Sequence, residues 1–211
     1  MRQISMQEAA ARLKSGGLLL YPTETFFGIG CRVSDDDAIA RVFQIKRRLF
    51  AMPLPVILAD AGQLPLVAQV APALAEDVAR LERAFWPGPL SLILPARMHI
   101  SPLLTGGTGN IAVRVSPHPV PCELATLVGE PIVASSANIS GHPAVTRAEA
   151  LDAELVQAVG AVLDTGPEPT GGEPSTLVEP LGNGRLHVRR SGAVHNDRLR
   201  AAGFEPESGI A

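Results

Sequence analysis

Lys46, Arg48, Ser136 and Asn138 belong to two short polar blocks whose residue types and spacing could do chemistry. Lys46-Arg47-Arg48 supplies cations for phosphate, arginine through two parallel hydrogen bonds and lysine as a point charge. Ser135-Ser136-Ala137-Asn138-Ile139-Ser140-Gly141 follows the apolar run Pro131-Ile132-Val133-Ala134 and offers hydroxyl, amide and backbone N–H donors on a tight turn. The two blocks read as halves of an anion site, which points to a nucleotide. Each block alone also has a plainer origin, because a helix C-terminus favours cations and Ser and Asn bond locally to backbone.

A third block, Tyr21 to Gly30, places Thr23 and Thr25 around Glu24 directly after a strand and follows them with Gly28 and Gly30. It fits a β-turn, or a cleft whose hydroxyls meet a small polar substrate while the glycines allow close backbone approach. The loop Thr105-Gly106-Gly107-Thr108-Gly109-Asn110 resembles a phosphate cradle only weakly, for it lacks a Gly-Lys-Ser/Thr ending.

Other chemistries find no support. The chain has no Gly-x-Ser-x-Gly elbow, and His99, His118, His142, His187 and His195 lack metal-ligand spacing. Cys31 and Cys122 stand far apart with no Cys-x-x-Cys pattern and read as reduced thiols. A net charge of −3 gives no global basic field, and 4% aromatic content leaves few stacking platforms for nucleic acid. The first residues lack a signal-peptide core and no apolar stretch reaches the roughly 18 residues of a membrane span, so a cytoplasmic protein is expected.

The elements that must position these blocks alternate between strand and helix. With 211 residues and 46% hydrophobic content, a single domain over residues 1–211 is expected. Its core would span about 5–194, with 195–211 a weakly patterned tail. Helices are expected over about 6–13, from an Ser34 N-cap through the Lys46 and Arg48 region, and over about 72–85, 120–128 and 147–159. Strands are expected at 18–21, 90–94, 111–115, 132–134, 161–164 and 185–190, with an apolar run at 53–58 and a long Gly/Pro loop ending in 174–178. The second helix would deliver Lys46 and Arg48 near an exposed C-terminal end, where alanine replacement leaves folding intact. The many short strands and prolines predict an α/β fold with a twisted, partly antiparallel sheet.

Read in order, these blocks are jointly specific. Tyr21-Pro-Thr-Glu-Thr, Lys46-x-Arg48 before Pro53-Leu54, Trp86-Pro-Gly-Pro-Leu90, Val113-Arg114-Val115, Ser135-Ser-Ala-Asn-Ile-Ser-Gly141, Pro174-Ser-Thr176 and Arg190-x-Gly192 resemble the YrdC/TsaC family of threonylcarbamoyl-AMP synthases. The resemblance runs from about residue 5 to 194. It implies a YrdC-like twisted mixed sheet with flanking helices around an open, positively lined cavity. It also implies condensation of L-threonine, bicarbonate and ATP to threonylcarbamoyl-AMP and pyrophosphate, with Mg²⁺ brought by the nucleotide. Lys46, Arg48, Ser136 and Asn138 would then be catalytic and ATP-binding, Arg190 would join the ATP site, and Thr23, Arg114 and Ser175 would bind threonine. The implied partners are a downstream tRNA threonylcarbamoyl transferase complex and, directly, tRNA or double-stranded RNA.

The chain departs from the family pattern in several places. Phe27 replaces a usual tyrosine, Met52 stands where a basic or polar residue precedes Pro-Leu, Arg47 and Leu49 flank Arg48 in place of Gly and Pro, and Ser116 occupies a position often held by proline. Phe27 and Met52 motivate one alternative to the synthase, a YciO-type paralogue with another substrate, and the other is an RNA-binding or ribosome-assembly module in which the same basic cleft holds a phosphodiester backbone.

Overall fold

Ser5 opens the first helix, its hydroxyl accepting from the Glu8 N–H while the Glu8 carboxylate takes the Ser5 N–H. The computed structural model describes residues 3–208; Met1, Arg2 and the last three residues of the expected tail lie outside the described residues. Helix α1 (Met6–Lys14) leads into an antiparallel hairpin of β1 (Leu19–Pro22) and β2 (Phe27–Gly30), joined by residues 23–26. Phe27–Gly30, whose glycines fit a turn, is instead a buried strand. Gly30 explains this, since a Cβ there would fall 1.9 Å from the Val133 carbonyl oxygen, the same oxygen that accepts the Tyr21 hydroxyl at 2.7 Å. Glycine lets three backbones pack where any side chain would force them apart.

Helix α2 (Asp36–Lys46) is capped by Asp35, whose carboxylate accepts from the Ala38 N–H at 2.8 Å. The expected cap, Ser34, instead donates to Glu130 at 2.8 Å. The helix ends sooner than its cation pair suggests, because Arg47 adopts the left-handed region at φ 51° and turns the chain. Lys46 is therefore the last helical residue, and Arg48 lies beyond the helix.

The chain continues through β3 (Val56–Leu58), α3 (Leu64–Val67), α4 (Ala75–Phe85), β4 (Leu90–Pro95), α5 (Pro102–Thr105), β5 (Asn110–Val115), α6 (Pro119–Val128), β6 (Ile132–Val133) and β7 (Ser135–Ser136). The helix expected over 147–159 is broken into a 3₁₀ turn (Ala148–Ala150) and α7 (Ala153–Val159), because Asp152 caps the Glu154 and Leu155 amides in mid-segment. The strand expected at 161–164 is reduced to isolated bridges from Val162 to Gln3 and Leu20. After β8 (Thr176–Gly182) and β9 (Arg185–Arg190), the expected tail folds into α8 (Asn196–Ala201) and β10 (Glu205–Ser208), which pairs parallel with β9.

Two sheets result, a mixed one in the order β10-β9-β8-β4-β5-β3-β6 and a smaller one in the order β1-β2-β7. The larger pairs β3 parallel to β5, β4 antiparallel to β5 and parallel to β8, and β8 antiparallel to β9. The twisted, partly antiparallel α/β arrangement expected from the short strands is what forms. This order brings the end of β5, the start of β4, the start of β8 and the end of β9 to one edge. Apolar packing of α2, α4 and α7 with β2–β5, and of α1 and α6 with β1 and β6, holds the edge in place.

Candidate active site

Arg114, Ser91, Ser175 and Arg190 meet at that edge because β5 ends where β4 and β8 begin. Arg190 donates to the Ser175 carbonyl through Nε at 3.2 Å and Nη2 at 2.7 Å, and Nη2 reaches the Ser175 hydroxyl at 3.2 Å. That hydroxyl lies 3.0 Å from the hydroxyl of Ser91, which is fully buried. Trp86-Pro-Gly-Pro fixes the corner: the indole N–H donates to Leu90 O at 2.7 Å, Gly88 N–H to Val115 O at 2.9 Å, and Thr176 N–H to Pro89 O at 2.9 Å.

The hairpin connection forms the facing wall. Thr23 is buried, and its hydroxyl donates to Phe26 O at 2.7 Å, so its proton is committed to shaping its own turn. Glu24 lies 2.9 Å from Arg114 Nη2 and accepts the Ser116 hydroxyl at 2.6 Å. Residues 165–174 strap across this wall, with Thr170 and Gly171 N–H groups donating to the Glu24 and Thr25 carbonyls at 3.1 and 2.8 Å.

Arg48 and Ser136 complete an open cleft of about 160 Å³ together with Thr23, Arg114, Ser175 and Arg190. Arg48 is held by its own loop, donating to Met52 O at 3.2 Å and Pro53 O at 2.9 Å. Met52 thus acts on the site through its carbonyl while its side chain is exposed beside Leu49 and Phe50. Phe27 also lines the cleft, with its ring 1% exposed.

Lys46 and Asn138 stand behind the cleft. Lys46 is 1% exposed, not at an open helix end as its position in sequence suggested. Its ammonium donates to Ser136 O, to Asn138 O at 2.6 Å and to Asn138 Oδ1 at 3.4 Å. Asn138 Oδ1 also accepts from the Ser136 hydroxyl at 2.5 Å, and Asn138 Nδ2 donates to His142 O at 2.6 Å. The lysine therefore clamps the turn that presents Ser136. Burial and the nearby Arg48 push the Lys46 pKa down to about 8.

Arg48, Arg114 and Arg190 share one cavity, and among the described residues Glu24 is the carboxylate paired with one of them, Arg114. Burial, then Arg114, then Arg48 lower the Arg190 pKa, and burial lowers that of Arg48. Mutually repelling, partly desolvated cations gain when an anion enters, so the cleft is suited to a polyanion with a carboxylate alongside. Among the described residues no cluster of three or more His, Cys, Asp or Glu could hold a metal ion, and Glu24 is already engaged by Arg114 and Ser116. The Gly106–Gly109 loop takes no part in the cleft; Gly106 packs on the Ala51 carbonyl as a helix cap.

The model of the Sua5/YciO/YrdC family, described as "Telomere recombination", matches residues 11–192. The chain belongs to this family. Its relatives include a threonylcarbamoyl-AMP synthase of Stenotrophomonas maltophilia, 36% identical over 85% of this chain and 92% of that protein. A crystal structure of Pyrococcus abyssi Sua5 complexed with L-threonine superposes with a TM-score of 0.83 at 30% identity, covering 98% of this chain and 61% of that one. The Escherichia coli YciO structure shares the fold at a TM-score of 0.78 and 20% identity, over 92% of each chain. The chain spans about half the length of the curated P. abyssi relative, at 49%.

Family membership accounts for the ordered blocks, and the geometry separates them into those that line the cleft and those that build it. Sequence reading missed Ser91, Glu24 as the partner of Arg114, and Ser116. Ser91 had a visible signal, a lone hydroxyl within the apolar strand Leu90-Ser-Leu-Ile-Leu. Ser116 showed only as a departure from the family pattern, and its pairing with Glu24 had no signal, since 92 residues separate them.

Proposed function

We propose that the protein is a threonylcarbamoyl-AMP synthase, a nucleotidyltransferase that condenses L-threonine, bicarbonate and ATP into threonylcarbamoyl-AMP and pyrophosphate for tRNA modification. The observation that carries this reading is the three-arginine cleft with hydroxyls at one end, which suits a triphosphate and an amino-acid carboxylate together. In the reaction the threonine amine bonds to the bicarbonate carbon with loss of water, a carbamate oxygen of the resulting N-carboxythreonine attacks the α-phosphorus, and the bond from that phosphorus to the pyrophosphate oxygen breaks. Two anions must approach and charge must build on the leaving group, so positioning and charge neutralisation carry the catalysis.

Arg48, Arg190 and Ser136 hold the phosphates in this reading. Lys46 and Asn138 keep Ser136 in place. Arg114 pairs the threonine carboxylate, Ser175 supports it with a hydroxyl, and Thr23 forms the wall behind. Mg²⁺ carried by the nucleotide would supply further positive charge at the pyrophosphate, beside the charge that Arg48 and Arg190 provide. The product is a mixed anhydride, which a downstream tRNA threonylcarbamoyl transferase complex would consume.

Pyrophosphate release measured with ATP, bicarbonate and each of a panel of amino acids tests the assignment. Release that requires threonine is expected. Release with another amino acid would favour the YciO-type alternative, and none under conditions where a related synthase works would sink the activity. RNA binding that falls steeply with salt and survives saturating ATP would favour the RNA-binding alternative.

A further inference from the structure

We propose that Ser116 is a positioning residue for the amino-acid end of the cleft, restraining Glu24 so that Arg114 stays available to the substrate carboxylate. The inference rests on the synthase reading of the same cleft. Ser116 is 2% exposed, lies just past the end of β5 and is not in the cleft wall. Its hydroxyl donates to Glu24 Oε2 at 2.6 Å and accepts the His118 N–H at 3.1 Å. His118 in turn caps α6, its Nδ1 accepting from Val120 N–H at 3.2 Å, and its Nε2 lies 2.9 Å from the strap carbonyl of Pro167. One hydroxyl thus ties the end of β5 to the hairpin connection and to the start of α6.

The state of Arg114 makes this tie consequential. Its Nη2 lies 2.9 Å from Glu24 Oε1, yet that buried oxygen accepts no aligned hydrogen bond, and Arg114 Nε is buried with no partner. A buried guanidinium beside a carboxylate would ordinarily form a two-pronged pair, which would spend its donors on the protein. Here one oxygen of the carboxylate is given to Ser116, so Glu24 meets Arg114 through the single Nη2 approach and leaves the face of the guanidinium that lines the cleft to a substrate. An incoming carboxylate then meets a charged and pre-positioned donor. Proline, which the family resemblance leads one to expect at this position, has no hydroxyl to give.

Steady-state kinetics and threonine titration calorimetry on Ser116→Ala, Ser116→Thr and Glu24→Gln test the proposal. Ser116→Ala should raise the threonine KM and Kd about tenfold, the scale of one hydrogen bond to a charged group, while the ATP KM stays within about twofold. Ser116→Thr should restore the threonine KM. Glu24→Gln should raise it as well, and adding Ser116→Ala to it should cost little more, because the hydroxyl acts through that carboxylate. An unchanged threonine KM in Ser116→Ala, or equal rises in both KM values with a lower Tm and no rescue by threonine, would overturn the role. Should the wild type select another amino acid, the synthase reading fails and the same ratios on that amino acid judge Ser116. If it binds none, both fail.

Discussion

Lys46 and Arg48 sit two positions apart and do different work, because the left-handed turn at Arg47 sends one inward and the other toward the cleft. Replacing Lys46 with alanine removes a buried four-carbon stem and three donor contacts to the Ser136 and Asn138 turn. A loss of about 2–4 kcal/mol of folding stability in urea titrations is expected, together with loss of turnover. Its pKa fixes the sign of a pH effect: the folded value of about 8 lies below the ordinary 10.5. Between those limits the unfolded chain holds a proton that the folded chain has released. The stability contributed by this group therefore rises with pH across that window. The gap between wild type and Lys46→Ala should widen from pH 8 to 10, and a gap that narrows would refute the assignment. Arg48 is half-buried on the lip of the cleft and bonds only to the carbonyls of its own loop. Arg48→Ala should weaken ATP binding about tenfold or more by calorimetry and move Tm by no more than about 2 °C.

At the scale of elements, the site depends on how closely the segment before β8 approaches the segment after β9. Gly192 sets that approach, because a Cβ there would lie 2.1 Å from Pro174 O and 2.9 Å from the Ser175 carbonyl carbon. Those are backbone atoms with no rotamer to yield, so Gly192→Ala should push Ser175 away from Arg190 and Ser91. A displacement of that kind should cut kcat/KM at least about tenfold for both substrates, with about 1–3 kcal/mol lost in stability. Wild-type kinetics in this variant would mean that the 174–175 segment tolerates movement. The same packing explains what the sequence could convey. Strands β4, β5 and β9 and helices α1 and α6 were legible because their apolar residues recur at the period of their structure. Phe27–Gly30 was not, since its glycines signal a turn unless one knows that the Val133 carbonyl lies above Gly30. Asp152 reads as an interior helical residue until its cap is seen. Arg48, Arg114, Ser136, Ser175 and Arg190 were legible as ordered motifs, whereas the burial of Lys46 was hidden because its covering turn is 90 residues away.

On the scale of the whole molecule, residues 195–208 close the fold instead of trailing from it. β10 adds a parallel edge to β9, and α8 brings fully buried Leu199 and nearly buried Phe204 onto the main core. The sequence shows little pattern here because the anchor is one aromatic ring. Arg80 of α4 lies 4.5 Å from the centroid of that ring and donates to Gly203 O at 2.9 Å, while Asp77 of the same helix accepts the Gly184 N–H at 2.9 Å. Helix α4, the β8–β9 turn and the terminal segment are thereby locked together at the opposite end of β9 from Arg190. Phe204→Ala removes the ring, its cation–π contact and the burial it gives β10. A loss of about 3–5 kcal/mol is expected, which for a chain of this length lowers Tm by roughly 10 °C. Because this lock lies at the far end of β9, the threonine and ATP KM values measured well below the transition should stay within about twofold of wild type. A KM change at unchanged Tm would instead mean that the terminal segment acts on the cleft directly.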